Sequence, residues 1–222
     1  MTNVLESLAA ALEQGDRETV VGLTRQAIEG GMAAGEVLNG GLLPGMAVVG
    51  ARFRDYEIFL PDVLLAARAM TGAMEVLKPL LVTEGVPLAG RVVLGTVRGD
   101  LHDIGKNLVG IMLQGAGYEV IDLGVDVSPD AFVDAAARAS AHVIGLSALL
   151  TTTMVGMKAV VDLLRERGLR DQIRVIVGGA PLTTGFANEI GAAGYAPDAT
   201  AAVALVQELT RERGQTPFLR DP

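Results

Sequence analysis

A histidine with a carboxylate on either side stands near the middle of this chain, in the run Asp100-Leu101-His102-Asp103. A neutral imidazole ligates a metal through one ring nitrogen when its other nitrogen donates a hydrogen bond to a carboxylate. Asp100, two residues before the histidine, is placed to accept that bond. The spacing predicts that His102 is a metal ligand whose orientation is set by Asp100.

The other residue types restrict which metal centre this can be. The chain has 222 residues, no Cys and two histidines, of which His142 is the second. A zinc site with three or four protein ligands is hard to assemble from this set. A metal held inside a macrocycle needs one axial protein ligand, so a corrinoid and a haem are the candidates.

The elements around His102 would place it at the edge of a sheet. Residues 91–97 are typical of a buried strand, and a helical pattern begins near Ile104. The loop between them would lie at the carboxyl edge of a parallel sheet, where open α/β sheets bind ligands.

Strands and helices alternate from Arg91 onward, which predicts a parallel sheet with right-handed crossovers. The predicted strands are 91–97, 119–123, 142–146, 174–177 and 194–196. The predicted helices are 104–116, 129–139, 154–167, 185–190 and 200–213. Five strands with these connections predict a flavodoxin-like (Rossmann-like) α/β fold.

The residues before this region have helical periodicity and no convincing strand. The predicted helices are one that ends at Gly15, then 17–29, 34–53 with a break or kink at Pro44, and 60–77. Short connections between them predict a four-helix bundle. We expect a helical domain at 1–88 with a linker near 83–90, an α/β domain at 89–214, and a loosely held tail at 215–222.

Charge and hydropathy exclude several classes of function. The formal net charge of -8 argues against binding to nucleic acid or to an anionic membrane. No basic, apolar leader resembles a signal peptide, and no long uncharged run resembles a membrane span. We expect a cytoplasmic protein.

The run from Asp100 to Gly105 matches the Asp-x-His-x-x-Gly signature of cobalamin-binding domains. Over nearly its whole length the chain resembles the corrinoid proteins of methyltransferase systems and the cobalamin-binding module of methionine synthase. A flavin or dinucleotide is the rival cofactor, but Gly95 to Gly99 lacks the Gly-x-Gly-x-x-Gly spacing. Lys106 and Asn107 stand where an anion could bind without completing a phosphate motif.

The resemblance implies roles for individual residues. His102 would replace the lower base of the corrinoid as the axial ligand of cobalt, and Asp100 and Thr153 would orient it. Further cofactor contacts would come from Gly99, Leu101, Asp103, Ile104, Gly105, Ser147, Leu149, Thr151, Gly178, Gly179 and Ala199. In the helical cap, Phe53 and Leu60 would press on the cobalt-bound methyl group.

The implied function is methyl transfer in one-carbon metabolism. Cob(I)alamin would take a methyl group from a substrate-specific methyltransferase. Methylcob(III)alamin would yield it to an acceptor methyltransferase that uses tetrahydrofolate or a thiol. A reductive activator would rescue cob(II)alamin, and the chain would not be catalytic alone. The sequence does not choose among methanol, a methylamine, glycine betaine and an aryl methyl ether as donor.

Two other functions fit the same cofactor. A cobalamin-binding sensor or storage module would bind the corrinoid without methyl transfer. A mutase subunit is the other alternative, but the cap-like residues Phe53 and Leu60 argue against it.

Overall fold

The computed structural model describes residues 2–86 and 88–214, and the chain divides into two compact units. The first comprises the residues up to Leu88 together with Ile111–Gly117. The second comprises Ala89–Gly110 and the residues from Tyr118 onward. The predicted tail, 215–222, lies outside the described residues.

The first unit is built from helices. They are α1 (Thr2–Glu13), α2 (Arg17–Glu29), α3 (Ala34–Val37), α4 (Leu43–Arg54) and α5 (Leu60–Glu84), with a π-helical turn at Leu38–Leu42. Asp16 caps α2 by accepting a hydrogen bond from the Thr19 N–H at 3.1 Å. Leu8, Leu12 and Leu77 are completely buried in the core of the first unit. The predicted N-terminal helical bundle is confirmed.

Two helices of this unit differ in detail from the prediction. The π-helical turn precedes Pro44, which stands in the first turn of α4, where a missing N–H is tolerated. Helix α5 passes the predicted end at Leu77 and contains Pro79. It ends at Gly85, whose φ of +66° is a left-handed conformation that favours glycine. The connection to the first strand is therefore shorter than the predicted linker.

The second unit contains a parallel five-stranded sheet. Its strands are β1 (Gly90–Thr96), β2 (Tyr118–Asp122), β3 (Val143–Ser147), β4 (Arg174–Gly178) and β5 (Gly194–Ala196). They lie in the order β2-β1-β3-β4-β5, and every neighbouring pair is parallel. This is the doubly wound order of flavodoxin-like folds, as predicted.

Helices connect and follow these strands. They are α6 (Ile104–Gly115), α7 (Pro129–Arg138), α8 (Thr151–Met154), α9 (Met157–Glu166), α10 (Thr184–Ile190) and α11 (Ala199–Gly214). The helix predicted over 154–167 is α9, which begins three residues later than predicted, and the short helix α8 before it was not predicted.

Packing explains the glycine near the end of β1. Phe132 of α7 is completely buried, and a Cβ on Gly95 would lie 2.6 Å from its ring. Gly95 therefore lets α7 approach the sheet. Within the described ranges, none of the helices has the length and apolar character needed to cross a membrane.

Candidate functional site

The loop between β1 and α6 turns sharply before it reaches His102. Gly99 has a φ of +83°, a left-handed conformation that favours glycine, and the Asp100 N–H donates to the Val97 carbonyl at 3.1 Å. The buried Thr96 hydroxyl, at the end of β1, donates to the His102 carbonyl at 2.9 Å. His102 is thus held at the carboxyl edge of the sheet, as predicted.

Asp100 is completely buried, and both of its carboxylate oxygens accept hydrogen bonds. Oδ1 accepts from His102 twice, from Nδ1 at 2.7 Å and from the backbone N–H at 3.1 Å. Oδ2 accepts from the Thr153 hydroxyl at 2.7 Å and from the N–H groups of Leu149 at 2.8 Å and Leu150 at 3.3 Å. Burial removes water from the carboxylate, and these donors take the place of that water.

The donors also determine the charge of Asp100. Burial alone would raise the pKa of this carboxyl, but the hydrogen bonds from His102, Leu149 and Thr153 outweigh burial. The result is a pKa below the ordinary value of 3.8. Asp100 is therefore an anion at neutral pH and a permanent acceptor for the His102 ring.

The His102 side chain is 52% exposed even though its Nδ1 contacts a buried carboxylate. A carboxylate can only accept, so we assign the proton of the neutral ring to Nδ1. The lone pair of the ring is then on Nε2. The pair can present one nitrogen ligand to a metal.

Thr153, on α8, completes a hydrogen-bonded trio with His102 and Asp100. Its hydroxyl lies 2.7 Å from Asp100 Oδ2 and 3.0 Å from the Leu150 carbonyl, and one hydroxyl proton serves one acceptor at a time. The structure brings together the three residues predicted to act on cobalt. Their roles toward a cofactor stay predictions.

Aliphatic side chains close to this trio are open to solvent. Leu101 is 71% and Ile104 75% exposed. Leu149 and Leu150, whose backbone contacts Asp100, are exposed as well. Exposed aliphatic groups clustered around a few polar atoms are typical of a surface that binds an apolar ligand.

Three of the glycines predicted to contact a cofactor differ in the space that a Cβ would have. A Cβ on Gly179, whose φ is +135°, would lie 1.8 Å from the Ala148 carbonyl oxygen, and one on Gly178 would lie 3.3 Å from that of Ala196. These two glycines are therefore needed by the protein's own packing. A Cβ on Gly105 would meet no atom within 4 Å. Open space beside Gly105 remains available to a ligand.

Other predicted contacts lie at the ends of neighbouring elements. Ser147 pairs with Thr96 on one side and Gly178 on the other, so all three reach the same edge of the sheet. Thr151 begins α8 and is exposed, whereas Ala199 begins α11 and is buried. Contacts of Ser147, Thr151 and Ala199 with a cofactor stay predictions.

Asp103 and Asp198 have helix-start roles. Asp103 Oδ2 accepts from the Asn107 side chain at 3.1 Å, just before and within the first turn of α6. Asp198 Oδ1 accepts from the Ala201 N–H at 2.7 Å and caps α11.

Phe53 and Leu60 belong to the first compact unit, and the trio belongs to the second. Phe53 is near the end of α4 and Leu60 begins α5, and both are half-buried. Their predicted contact with a bound methyl group stays a prediction.

Sequence reasoning missed the partner of one residue near the site and the whole role of another. Lys106, which stands where an anion could bind, is buried, and its ammonium donates to Asn107 Oδ1 at 2.6 Å and to Asp122 Oδ2. Asp126, absent from the predicted set, accepts a hydrogen bond from the Gly99 N–H at 2.7 Å. In the sequence, Gly124 to Val127 is not distinguishable from an ordinary strand–helix turn.

The chain is similar to known proteins over most of its length. Two family descriptions, each reading "B12 binding domain", match residues 4–78 and 90–204. A corrinoid protein of Desulfitobacterium hafniense is 41% identical over 210 residues, covering 93% of this chain and 97% of that protein. The dimethylamine corrinoid protein of Methanosarcina barkeri is 46% identical over 208 residues, with the same two coverages of 93% and 97%.

A solved structure of similar fold is the methanol:cobalamin methyltransferase complex of Methanosarcina barkeri. It matches with a TM-score of 0.85 at 31% identity, and the match covers 94% of this chain and 80% of that one.

Proposed function

Because the chain belongs to the family of B12-binding corrinoid proteins, we propose that it is a methyl carrier. It accepts a methyl group from a substrate-specific methyltransferase and delivers it to a second methyltransferase. The observation that carries the proposal is the His102–Asp100 pair, in which Nδ1 is held by a buried carboxylate and Nε2 is left to ligate cobalt. When bound, the corrinoid supplies a cobalt centre that takes up and releases the methyl group.

The residues present fit such a cofactor. A macrocycle brings its own equatorial ligands, so one protein nitrogen is sufficient, and His102 offers one. The exposed Leu101 and Ile104 suit contact with the apolar face of a ring, and the open space at Gly105 leaves room for it. The proposal places the cofactor in the domain of residues 89–214 and retains residues 1–88 as a helical domain.

Asp100 and Thr153 act through His102 in this proposal. The charge of Asp100 keeps the Nδ1 proton in place, which fixes both the tautomer and the ring orientation. Thr153 donates to the other oxygen of the same carboxylate and helps to hold that carboxylate in place beside the ring.

Similar proteins support a methyltransferase partner. One relative is named a dimethylamine corrinoid protein, and a solved relative is a methanol:cobalamin methyltransferase complex. We therefore place the methyl donor, of the methylamine or methanol type, on a separate methyltransferase subunit. An acceptor methyltransferase, using tetrahydrofolate or a thiol, and a reductive activator complete the proposed system.

Replacement of the proposed ligand tests the function directly. Protein labelled with ¹⁵N-histidine and loaded with cob(II)alamin should show one axial ¹⁵N coupling in its electron paramagnetic resonance spectrum. His102→Ala should lose that coupling and retain the corrinoid about 10- to 100-fold more weakly. The matched control is His142→Gln, because His142 is the other histidine of the chain and accepts from the Arg91 N–H. That control should keep the coupling.

Methyl transfer is then measured on the reduced protein after treatment with methyl iodide. Formation of methylcobalamin that a partner methyltransferase demethylates supports the carrier. Retention of the cofactor's own base on cobalt in the wild type would refute ligation by His102. Binding without any methyl uptake would favour a sensor or storage module.

A further inference from the structure

The segment that joins β2 to α7, Leu123–Ser128, lies alongside the loop that bears His102. The Thr96 N–H donates to the Gly124 carbonyl at 2.9 Å, and the Val127 N–H donates to the Thr96 carbonyl at 3.0 Å. Val97 and Val127 also form an isolated parallel bridge. The β2–α7 segment thus continues the pairing of β1 beyond the end of the sheet.

Asp126 makes the two contacts that reach furthest toward the proposed cobalt ligand. Its Oδ1 accepts from the Gly99 N–H at 2.7 Å, and its own N–H donates to the Asp100 carbonyl at 3.1 Å. Asp126 therefore contacts the Gly99 N–H and the Asp100 carbonyl, one group from each of these two neighbouring residues. Asp100 in turn orients the His102 ring at 2.7 Å.

The backbone of Asp126 has an unusual conformation at this contact. Its φ is +54°, a left-handed conformation that few side chains adopt and that aspartate and asparagine adopt most easily. Gly99 is also left-handed, with a φ of +83°, which glycine adopts readily. The hydrogen bond from the Gly99 N–H to Asp126 Oδ1 links these two left-handed turns.

We infer that Asp126 is a positioning residue, which holds the Gly99–Asp100 turn so that Asp100 presents His102 to the metal. The inference rests on the proposed function, because it concerns the same ligand. It adds a residue of the β2–α7 segment to a trio that is built from the segments after β1 and β3. Asp126 itself touches neither the His102 ring nor, in this role, the cofactor.

Two substitutions separate the side-chain contact from the backbone conformation. Asp126→Gly keeps a left-handed backbone without steric cost but removes the acceptor for Gly99. Asp126→Asn keeps both an oxygen acceptor and a side chain that tolerates this conformation. The matched control is Ser140→Gly, because Ser140 is also left-handed, at φ +48°, but stands between α7 and β3.

The first measurement uses cofactor-free protein. Amide hydrogen exchange at Gly99 should become about fivefold faster in Asp126→Gly, as expected for one lost hydrogen bond. Ser140→Gly should leave that amide unchanged. In Asp126→Asn the amide resonance of Gly99 should shift, because a charged acceptor becomes neutral, while its exchange slows or stays within about twofold of wild type.

The second measurement uses ¹⁵N-histidine-labelled protein loaded with cob(II)alamin. Asp126→Gly should retain the corrinoid about fivefold more weakly, and a larger share of its cobalt should lack the ¹⁵N coupling. Asp126→Asn should restore most of the coupling. A general loss of stability would not produce that recovery, since a purely structural role would lower retention without changing the coupling of the cofactor that stays bound.

The outcomes distinguish the inference from the proposed function. A wild-type protein without histidine coupling overturns ligation by His102 and the inference with it. Suppose that the wild type shows the ¹⁵N coupling and that Asp126→Gly matches it in both amide exchange and corrinoid binding. That result overturns the inference about Asp126 and leaves ligation by His102 intact. If Asp126→Gly does not fold, an unshifted Gly99 resonance in Asp126→Asn has the same meaning.

Discussion

The loop that bears His102 and the loop between α4 and α5, residues 55–59, differ in the kind of polar contact that holds them. In the first, a completely buried carboxylate, Asp100, accepts hydrogen bonds from two side chains and three backbone N–H groups. The second is held by backbone hydrogen bonds to the end of α4 and by exposed ion pairs, and its aromatic groups extend into solvent: Tyr56 is 85% and Phe59 67% exposed. Only the first of these two loops depends on a buried charge.

This difference decides what a substitution in each loop can do. A buried carboxylate with many donors couples those donors, so removing it leaves several of them unpaired at once. Removing an exposed aromatic ring leaves few groups of the same unit without a partner. We expect the His102 loop to respond strongly to single changes and the α4–α5 loop to respond weakly in the isolated protein.

The largest effect is expected for Asp100→Ala. The variant removes the buried acceptor of the His102, Leu149 and Leu150 N–H groups, and it leaves the Thr153 hydroxyl with the Leu150 carbonyl alone. The free energy of unfolding should fall by about 3 kcal/mol, measured by urea denaturation of the cofactor-free protein. A loss below about 1 kcal/mol would mean that water replaces the carboxylate and that the two loops do not differ as described.

The pH dependence of the free energy of unfolding gives an independent check on the role of the Asp100 carboxylate. The folded pKa of Asp100 is lower than the unfolded one, so as the pH falls the unfolded chain takes up the proton first. The stabilisation is complete above the unfolded pKa of about 3.9 and declines as the pH falls below it toward the folded pKa. The difference in unfolding free energy between wild type and Asp100→Asn should therefore be smaller at about pH 3 than at about pH 6.

A smaller effect, of opposite sign, is expected for Gly105→Ala. The residue lies in the first turn of α6 with open space where its Cβ would be, so alanine should stabilise the cofactor-free protein by about 0.5–1 kcal/mol. The same methyl group would enter the space that the proposed function gives to the corrinoid. Corrinoid affinity should therefore fall about tenfold or more, in line with overpacking costs.

The control for this prediction is Gly22→Ala. Gly22 is an exposed glycine of α2 that also has no atom within 4 Å of a built Cβ. It should give a similar gain in stability with unchanged corrinoid affinity. Equal affinity of Gly105→Ala and wild type would show that the cofactor does not use the space beside Gly105.

The sequence alone predicts the fold class well, because alternating strands and helices with buried, β-branched strands leave few topologies. The spacing of Asp100 and His102 also predicts their pairing, whereas Thr153 is assigned to the trio by the resemblance to cobalamin-binding domains. What the sequence cannot supply is the pairing of side chains across distant segments. Lys106 and Asp122, separated by 16 residues, give no local sign of the ion pair that joins the buried lysine to the more exposed aspartate.

Asp126 illustrates the same limit for backbone conformation. Its run, Gly124 to Val127, predicts a turn, but the left-handed conformation and the contact with Gly99 depend on how the β2–α7 segment lies beside β1. The π-helical turn before Pro44 is similar. A proline predicts a perturbed helix, whereas the neighbouring packing decides its form: a Cβ on Gly45 would lie 3.0 Å from the Ala9 carbonyl oxygen.

The smallest effect is expected in the α4–α5 loop. Tyr56 has a φ of +59°, which costs a residue with a Cβ about 1 kcal/mol, and its ring is largely in solvent. Tyr56→Gly removes that strain but adds flexibility to the unfolded chain, so the free energy of unfolding should rise by about 0.5 kcal/mol or less. Tyr56→Ala keeps the Cβ and should gain nothing, which makes it the control in the same urea measurement. A loss of more than about 1 kcal/mol in both variants would mean that the Tyr56 ring makes stabilising contacts. An exposed side chain of the α4–α5 loop would then matter as much to stability as the contacts of the His102 loop, and the contrast between the two would fail.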